Sequence, residues 1–294
     1  MKLPKKAGFI GLGLIGGSIA MNLKALSPSI KIIAHANHKE TLEQAFQEGL
    51  TDNSDFLPLS AFASCDLLFL CAPVKYNMDY LQKIAPLLQP ECLITDVGSV
   101  KGQMQQTAEK LGLSDRFLAG HPMCGSEEIG LSAASPELIR GAYYILTPGD
   151  PFPKEKTKNF CEILTAFGCI PLVMSTKEHD FATAAISHLP HIVSAALIET
   201  AAENETKNHT LSKIAAGGFR DITRISSSSP VMWQQIALAN KDEILHLMDL
   251  YETQFLRFKR AIEQEDQNEL LSLFSSAKTF RDSLPAKEKE TNPD

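Results

Sequence analysis

Residues 11–16 read Gly11-Leu12-Gly13-Leu14-Ile15-Gly16, a GxGxxG pattern. It follows a short apolar segment and opens an amphipathic one, so its glycines lie between a predicted strand and a predicted helix. Gly11 permits a tight turn, Gly13 lets the backbone approach a pyrophosphate, and Gly16 lets the helix pack closely on the strand. The N–H groups and positive dipole end of the helix N-terminus favour a phosphate there. The pattern therefore predicts that residues 11–16 bind a dinucleotide.

The residues up to about Ser175 alternate short apolar runs with amphipathic segments. This alternation predicts a mostly parallel sheet covered by helices on both faces. The predicted strands cover residues 7–10, 31–34, 67–71, 93–97, 117–119, 142–147 and 170–174. The predicted helices cover residues 15–26, 39–48, 78–88, 102–110 and 154–167.

Beyond Ser175 the strand-like runs end and a helical period dominates. The predicted helices of this half cover residues 177–203, 206–216, 230–240, 241–264 and 266–284. The sequence thus predicts an α/β N-terminal domain over residues 1–175 with a Rossmann-type doubly wound sheet. An all-α C-terminal domain over 176–284 and a loose polar tail over 285–294 follow.

Composition narrows the function classes. The 294 residues carry a net charge of −7, and no basic face is visible, which disfavours nucleic-acid binding. Six cysteines without a CxxC spacing are typical of reduced thiols in a cytoplasmic protein. Residues 7–21 are predicted to be the sole long apolar stretch. They resemble the apolar core of a signal peptide, but they contain five glycines and are better explained as the glycine loop. No membrane association is predicted.

The second half of the dinucleotide fingerprint departs from the usual pattern. An acidic residue that binds the ribose is expected at the end of the second strand, but Ala36 and Asn37 stand there and the first acid is Glu40. Without that carboxylate a 2′-phosphate is admissible, and Asn37, His38 and Lys39 are residue types that can bind one. The cofactor is predicted to be NAD or NADP, with a slight preference for NADP.

Polar segments follow several predicted strands, where a doubly wound sheet places its active site. They are Ala72-Pro73-Val74, Asp96-Val97-Gly98-Ser99-Val100-Lys101 and Gly120-His121-Pro122-Met123-Cys124-Gly125-Ser126-Glu127. The helical half adds Ser187-His188-Leu189-Pro190-His191 and Gly217-Gly218-Phe219-Arg220-Asp221-Ile222-Thr223-Arg224.

Taken in this order, GHPMxG, SHLPH and GGFRDxTR resemble the prephenate/arogenate dehydrogenase family of tyrosine biosynthesis, over residues 7 to 240. The resemblance implies a nucleotide-binding domain joined to a helical domain that forms a homodimer. It also implies an NAD(P)-dependent oxidoreductase that oxidatively decarboxylates a cyclohexadienol. Prephenate is the expected substrate, with 4-hydroxyphenylpyruvate and CO2 as products. Arogenate is the alternative, because the residues do not reveal the group that faces the side chain.

The resemblance also assigns roles to individual residues. His121 is expected to be the base that takes the ring hydroxyl proton, since neutral imidazole suits that task. Ser99 is expected to orient His121 and contact the same hydroxyl. Arg224 is expected to bind a carboxylate through its guanidinium fork. The other expected substrate contacts are His191, His188, Gly217 and Glu127, and the expected cofactor contacts are Gly11, Leu12, Gly13, Leu14, Ile15, Gly16, Asn37, His38, Pro73 and Val74.

Three other interpretations of these residues are possible. His188 and His191 could chelate a metal, but beyond His179 and Asp180 no third ligand stands at a suitable spacing, and no metal is predicted. A β-hydroxyacid dehydrogenase would carry a glycine-flanked lysine where this chain has the histidine pair. A non-enzymatic redox sensor would need the glycine loop but not His121, Ser99, His191 and Arg224 together.

Overall fold

One seven-stranded sheet organises the first part of the chain, in a computed structural model that describes residues 1–125 and 128–285. The strand order is β2-β1-β3-β4-β5-β6-β7. All seven predicted strands are confirmed, with ends within three residues of the prediction. Their bounds are β1 Lys6–Ile10, β2 Lys31–His35, β3 Leu67–Leu70, β4 Leu93–Asp96, β5 Phe117–Pro122, β6 Tyr143–Pro148 and β7 Ile170–Val173.

Strands β1 to β5 are parallel, β6 runs antiparallel to β5, and β7 is parallel to β6. β1 lies between β2 and β3, so the chain changes direction across the sheet at β1. Ligands of open α/β sheets bind outside the strand carboxyl ends at such a switch point. The glycine loop follows β1 and therefore lies at that position.

Helices cover the sheet because each buries one apolar face on it. α3 begins at Val74, earlier than predicted. Its α-helical part ends at Ile84 and a 3-10 turn, Ala85–Leu87, follows, because Pro86 has no N–H to donate to the preceding turn. The helices of this part are α1 Leu14–Leu26, α2 Lys39–Gln47, α3 Val74–Ile84, α4 Gly102–Lys110 and α5 Lys154–Ala166.

The helical half opens with a continuous helix, Thr176–Glu203. Ser175 and Glu178 form a capping box at its start, and a π-helical turn, Ala184–His188, interrupts it just before Pro190. The predicted helix over 206–216 is wrong in extent. The helix found there covers Thr210–Ile214, and a second short helix, Gly217–Thr223, follows it. The bounds are α6 Thr176–Thr183, α7 Leu189–Glu203, α8 Thr210–Ile214, α9 Gly217–Thr223, α10 Pro230–Ala239, α11 Lys241–Glu263 and α12 Gln267–Ser283.

The chain packs into two compact units, Met1–Ile244 and the part from Leu245 onward. The first unit joins the sheet to the helices up to α10. Asp180 of α6 connects these two parts of the unit, because its carboxylate accepts hydrogen bonds from the backbone N–H groups of Lys101 and Gly102 at 2.8 Å. The predicted boundary at 175/176 stays a prediction, and the predicted tail lies, apart from Pro285, outside the described residues.

Helix Thr176–Glu203 is long and apolar enough to cross a membrane when judged by length and composition alone. The prediction that residues 7–21 are the sole long apolar stretch was therefore wrong. In this chain 22% of the helix's most apolar window is buried. Much of its apolar surface thus lacks a partner within the described residues of the chain.

Candidate active site

The glycine loop has the geometry that a bound pyrophosphate requires. Gly11 has a φ of +95°, and its N–H donates to the carbonyl of His35 at 2.8 Å. A side chain at Gly16 would meet the carbonyl oxygen of Gly11 at 2.5 Å, whereas one at Gly13 would meet nothing within 4 Å. Gly11 and Gly16 thus serve the turn and the packing, while Gly13 leaves open space beside the start of α1 at Leu14.

The end of β2 presents exposed polar side chains. Asn37 and His38 are exposed, and α2 begins directly after them. The Lys39 ammonium lies 3.3 Å from the carboxylate of Asp55 and 3.5 Å from that of Glu43. Its positive charge is therefore already balanced by two acids. The roles of Asn37 and His38 toward the cofactor stay predictions.

The turn between β3 and α3 contains Pro73 and Val74, the other two expected cofactor contacts. Pro73 is the N-cap of α3, and Val74 begins the helix and is buried. The Asn77 side chain accepts from the N–H of Ala72 at 3.0 Å and donates to the carbonyl of Leu70 at 3.1 Å. These two bonds hold the turn in place, so Pro73 and Val74 have a fixed position beside the glycine loop's strand.

His121 lies near the end of β5 and is buried. Its Nδ1 is 2.8 Å from Nε2 of His179, whose Nδ1 is 2.7 Å from Oδ1 of Asp180. Burial lowers the pKa of His121 well below its ordinary value, and the charges at His179, Lys101 and His188 lower it further. A histidine with this pKa is neutral at pH 7, which is the form that accepts a proton.

A buried ion pair holds the neighbouring strand ends together. Lys101 Nζ is 2.5 Å from Asp96 Oδ2 and 2.6 Å from the carbonyl oxygen of Gly120, the residue before His121. The other carboxylate oxygen of Asp96 accepts from the N–H of Gly120 at 3.2 Å. Because both partners are fully buried, the pair links β4 to β5 beside His121.

Ser99 lies half-buried in the turn between β4 and α4. Lys101, not Ser99, is the N-cap residue of α4, and Asp180 supplies the acceptor for its first N–H groups. The hydrogen-bond partner that the structure gives His121 is His179. A Ser99 contact to His121 or to a substrate hydroxyl stays a prediction.

His188 and His191 share one face, as their spacing predicts, and both contact Trp233. The His191 ring stacks on the indole with centroids 3.5 Å apart, and the His188 ring meets its edge at 6.0 Å. His191 Nδ1 donates to the carbonyl of Ser187 at 2.9 Å. His188 Nδ1 is 3.2 Å from the amide of Asn240, and burial lowers the pKa of His188 to about 4.

Arg224 begins a short 3-10 turn, Arg224–Ser227, that follows α9. Burial lowers the pKa of His191, and the charge of Arg224 lowers it further. Gly217 is the exposed first residue of α9. Glu127 lies outside the described residues. The substrate contacts of all four residues stay predictions.

Sequence reasoning missed His179 and Asp180 as members of this site, although it noted both as residues near the histidine pair. The signal was their adjacency at the start of a helix, but their meeting with His121 depends on how that helix packs. The described residues contain no group of three or more His, Cys, Asp or Glu side chains placed to hold a metal ion.

A doubly wound sheet with an open glycine loop and a buried neutral histidine defines a dinucleotide-dependent dehydrogenase. Two family models match: the prephenate dehydrogenase nucleotide-binding domain over residues 19–170, and its dimerization domain over residues 175–276. The chain therefore belongs to the prephenate dehydrogenase family of oxidoreductases, and the resemblance in the sequence is confirmed.

Individual relatives agree. Prephenate dehydrogenase of Bacillus subtilis is 38% identical over 96% of this chain and 77% of that protein. The crystal structure of Aquifex aeolicus prephenate dehydrogenase with hydroxyphenyl propionate and NAD+ superposes with a TM-score of 0.89. It is 30% identical and covers 96% of this chain and 98% of its own. Synechocystis arogenate dehydrogenase is 31% identical, with a TM-score of 0.82 over 94% and 99% of the two chains.

Proposed function

We propose that this protein converts prephenate to 4-hydroxyphenylpyruvate and CO2, with transfer of a hydride to NAD, in tyrosine biosynthesis. The observation that carries the proposal is His121. It is a neutral, buried imidazole at the carboxyl end of a central strand, on the sheet edge that also carries the glycine loop. A dehydrogenase that oxidises a carbinol needs a base at this place.

The residues of the chain fit the cofactor. Gly13 leaves space where a pyrophosphate approaches, and the start of α1 directs N–H groups toward it. When bound, the nicotinamide supplies the hydride acceptor. His121 takes the proton of the ring hydroxyl while the hydride leaves the same carbon. Loss of CO2 then makes the ring aromatic, and because this step is favourable no acid is needed to expel CO2. The resulting phenolate afterwards recovers a proton.

The substrate's carboxylates need cationic or hydrogen-bonding partners. Arg224 offers a guanidinium fork that matches a carboxylate bidentately, and His191 beside it has its ring fixed by Trp233 and Ser187. We assign Arg224 to a substrate carboxylate and His191 to the substrate side chain. Glu127, Gly217 and His188 complete the proposed lining.

For the cofactor we propose NAD rather than NADP. The residue types after β2 favoured NADP in the sequence, but the ion pairs of Lys39 with Asp55 and Glu43 weigh against it. A 2′-phosphate there would approach two carboxylates, and the nearest cation would have to exchange partners. The solved relative from Aquifex aeolicus carries NAD+.

Arogenate is the second candidate substrate, and one observation favours it. His191 Nδ1 donates to a backbone carbonyl, so its neutral ring has a lone pair at Nε2. A lone pair suits the ammonium group of arogenate better than the carbonyl group of prephenate.

One set of assays tests substrate and cofactor together. Prephenate and arogenate are each combined with NAD and with NADP, and the absorbance of the reduced nicotinamide is followed. We expect the highest kcat/KM for prephenate with NAD. Turnover with arogenate alone would select the second candidate. Absence of turnover in all four mixtures, by folded protein that binds NAD, would contradict the proposed activity.

We also propose a homodimer in the cytoplasm. A groove of about 760 Å³ in the helical half is lined by apolar side chains, among them Ile198, Leu211, Ile214 and Phe219. Ile214 is 70% exposed, and an apolar surface of this kind is typical of a protein–protein interface. Because the groove lies within the residues that match the dimerization domain, we propose that a second copy of the chain binds there. Light scattering of the purified protein should give about twice the monomer mass. Cell fractionation tests the location, and free thiols at all six cysteines agree with it.

A further inference from the structure

His121 is the first member of a chain of three side chains that come from two parts of the fold. Its Nδ1 is 2.8 Å from Nε2 of His179, and the two ring planes meet at 67°. The other nitrogen of His179, Nδ1, is 2.7 Å from Oδ1 of Asp180. Both histidines are buried, so water does not compete for these contacts.

Asp180 determines the direction of the hydrogen bonds. Its Oδ1 also accepts from the N–H of Lys101 and its Oδ2 from the N–H of Gly102, both at 2.8 Å. Burial opposes ionisation, but the hydrogen bonds from His179 and from these two N–H groups lower the pKa of Asp180 overall. An ionised carboxylate can only accept. The shared hydrogen therefore belongs to Nδ1 of His179.

The remaining protons follow from this one. A neutral His179 that carries its hydrogen on Nδ1 has a lone pair on Nε2, so it accepts the hydrogen bond from His121. The hydrogen of His121 then stands on Nδ1, which leaves a lone pair on its Nε2. We infer that His179 and Asp180 are positioning residues that hold His121 in the tautomer whose Nε2 is the free base.

Two further groups face His121. They are the Lys101 ammonium, which is paired with Asp96, and the ring of His188. Neither accepts a hydrogen from Nδ1 of His121, because His179 occupies that nitrogen. The Asn240 amide donates to the carbonyl of Asp180 at 2.8 Å and thereby fixes the residue at the far end of the chain from His121. The arrangement thus has one acceptor for Nδ1 of His121 among the described residues.

The consequence for catalysis rests on the proposed function. When Nε2 of His121 takes a proton, the ring becomes a cation, and the hydrogen bond to His179 strengthens because the Asp180 carboxylate lies behind it. The wrong tautomer would present an N–H to the substrate hydroxyl and could not accept its proton. A serine protease with the corresponding carboxylate neutralised loses about 10⁴-fold in kcat for this reason.

The first experiment reads the tautomer directly and does not depend on the reaction. The full chain is labelled with 15N-histidine, loaded with NAD, and examined by long-range 1H–15N NMR at neutral pH. The His121 signals are assigned by their absence in His121→Asn. We expect an unprotonated, pyridine-type nitrogen at Nε2 and a protonated one at Nδ1. The opposite assignment in the wild type, or an imidazolium at His179, would overturn the inference even if the enzyme were active.

The second experiment uses two variants at one position and a matched control. His179→Phe keeps an aromatic ring but removes the acceptor, so kcat should fall by about 10²–10⁴-fold with little change in KM. His179→Gln retains an amide oxygen for His121 and an amide N–H for Asp180, and it should recover at least tenfold over the Phe variant, ~1.4 kcal/mol. His209→Phe makes the same change at an exposed histidine and should leave kcat unaltered.

NAD affinity and thermal melting establish that each variant is folded. A folded His179→Phe variant with wild-type kcat would refute the positioning role. Equal losses in the Gln and Phe variants, with the His121 tautomer unchanged by NMR in both, would assign His179 to packing instead.

Discussion

The imidazole of His191 stacks on the indole of Trp233 with ring centroids 3.5 Å apart and planes inclined by 24°. The two residues come from different helices, α7 and α10, so the stack ties those helices together beside the site. It also fixes the plane of the His191 ring, since the hydrogen bond from Nδ1 to Ser187 leaves that ring little rotational freedom. A substrate contact made by His191 is thus oriented before the substrate arrives.

This stack makes the intrinsic fluorescence a reporter of the site. Trp233 is the one tryptophan of the chain. A protonated imidazole quenches a stacked indole, so emission should fall as pH decreases through the pKa of His191. Burial and Arg224 lower that pKa, and the fall should therefore occur below pH 6.5. A pH titration of emission measures it. His191→Gln should abolish the step, and a step that persists in that variant would assign the quenching to another group.

The kcat should decrease at acidic pH, because protonation of His121 removes the form of the ring that accepts a proton. Only the neutral ring accepts a proton, and the pKa of His121 is well below its ordinary value. The kcat should thus be insensitive to His121 between pH 7 and 8 and should decline only well below pH 6.5. The pH profile of kcat for the wild type checks this. An acid limb centred above pH 6.5 would contradict the low pKa.

His121→Asn removes the proposed base and should lower kcat by about 10²–10⁴-fold. NAD binding should remain, because the glycine loop follows another strand. Stopped-flow turnover and NAD titration separate the two effects. Asn is chosen because it is polar and similar in size at this buried place, and His209→Asn serves as the control at an exposed one. Turnover close to that of the wild type would exclude His121 as the base.

Most of the fold could be predicted because its signals are local. Seven apolar runs bounded by turns mark the seven strands, and the glycine loop identifies the first crossover. The π-helical turn at Ala184–His188 was not predictable, since the same residues support an ordinary helix until Pro190 is packed in place. The helix Gly217–Thr223 was not predicted, because the two glycines at its start disfavour a helix when judged from the sequence alone.

In the candidate site, too, the residues in local motifs were predictable, whereas contacts between distant parts of the chain were not. His121, His188 and His191 stand in short motifs. In the structure His188 and His191 both contact Trp233, and the charge of His188 contributes to the lowered pKa of His121. The hydrogen bond between His121 and His179 joins residues 58 positions apart, and it forms only when α6 packs beside the end of β5. At Lys39 the sequence shows a cation, but it does not show that the carboxylates of Asp55 and Glu43 balance its charge, since the Asp55 contact depends on the fold.

Two glycines of the loop allow a matched test of binding against folding. Gly13→Ala places a methyl group in open space, so the protein should keep its melting temperature while the methyl group obstructs the pyrophosphate. Gly16→Ala places the methyl group 2.5 Å from the Gly11 carbonyl, and this backbone atom cannot turn aside. Gly16→Ala should therefore lower the melting temperature as well as NAD affinity. Equal melting temperatures for the two variants would contradict the close packing of α1 on β1.

Arg224 should affect the substrate and spare the cofactor. Arg224 follows α9 in the helical half of the chain, whereas the glycine loop lies at the switch point of the sheet. Arg224→Ala removes a charged hydrogen bond to a carboxylate, which costs about 1.5–3 kcal/mol, or roughly 10- to 150-fold in substrate affinity. Arg224→Lys keeps the charge but loses the bidentate fork, so it should fall between the wild type and the Ala variant.

The measurement that distinguishes this role from a structural one is the ratio of two affinities. Substrate binding is measured by equilibrium titration, with the product 4-hydroxyphenylpyruvate as the ligand, and NAD binding is measured on the same samples. A loss confined to the product supports the carboxylate contact, because the product retains the pyruvyl carboxylate after CO2 has left. Equal losses for product and NAD, accompanied by a lower melting temperature, would assign Arg224 to the stability of the turn that follows α9. A loss for prephenate without one for the product would place Arg224 at the carboxylate that leaves as CO2.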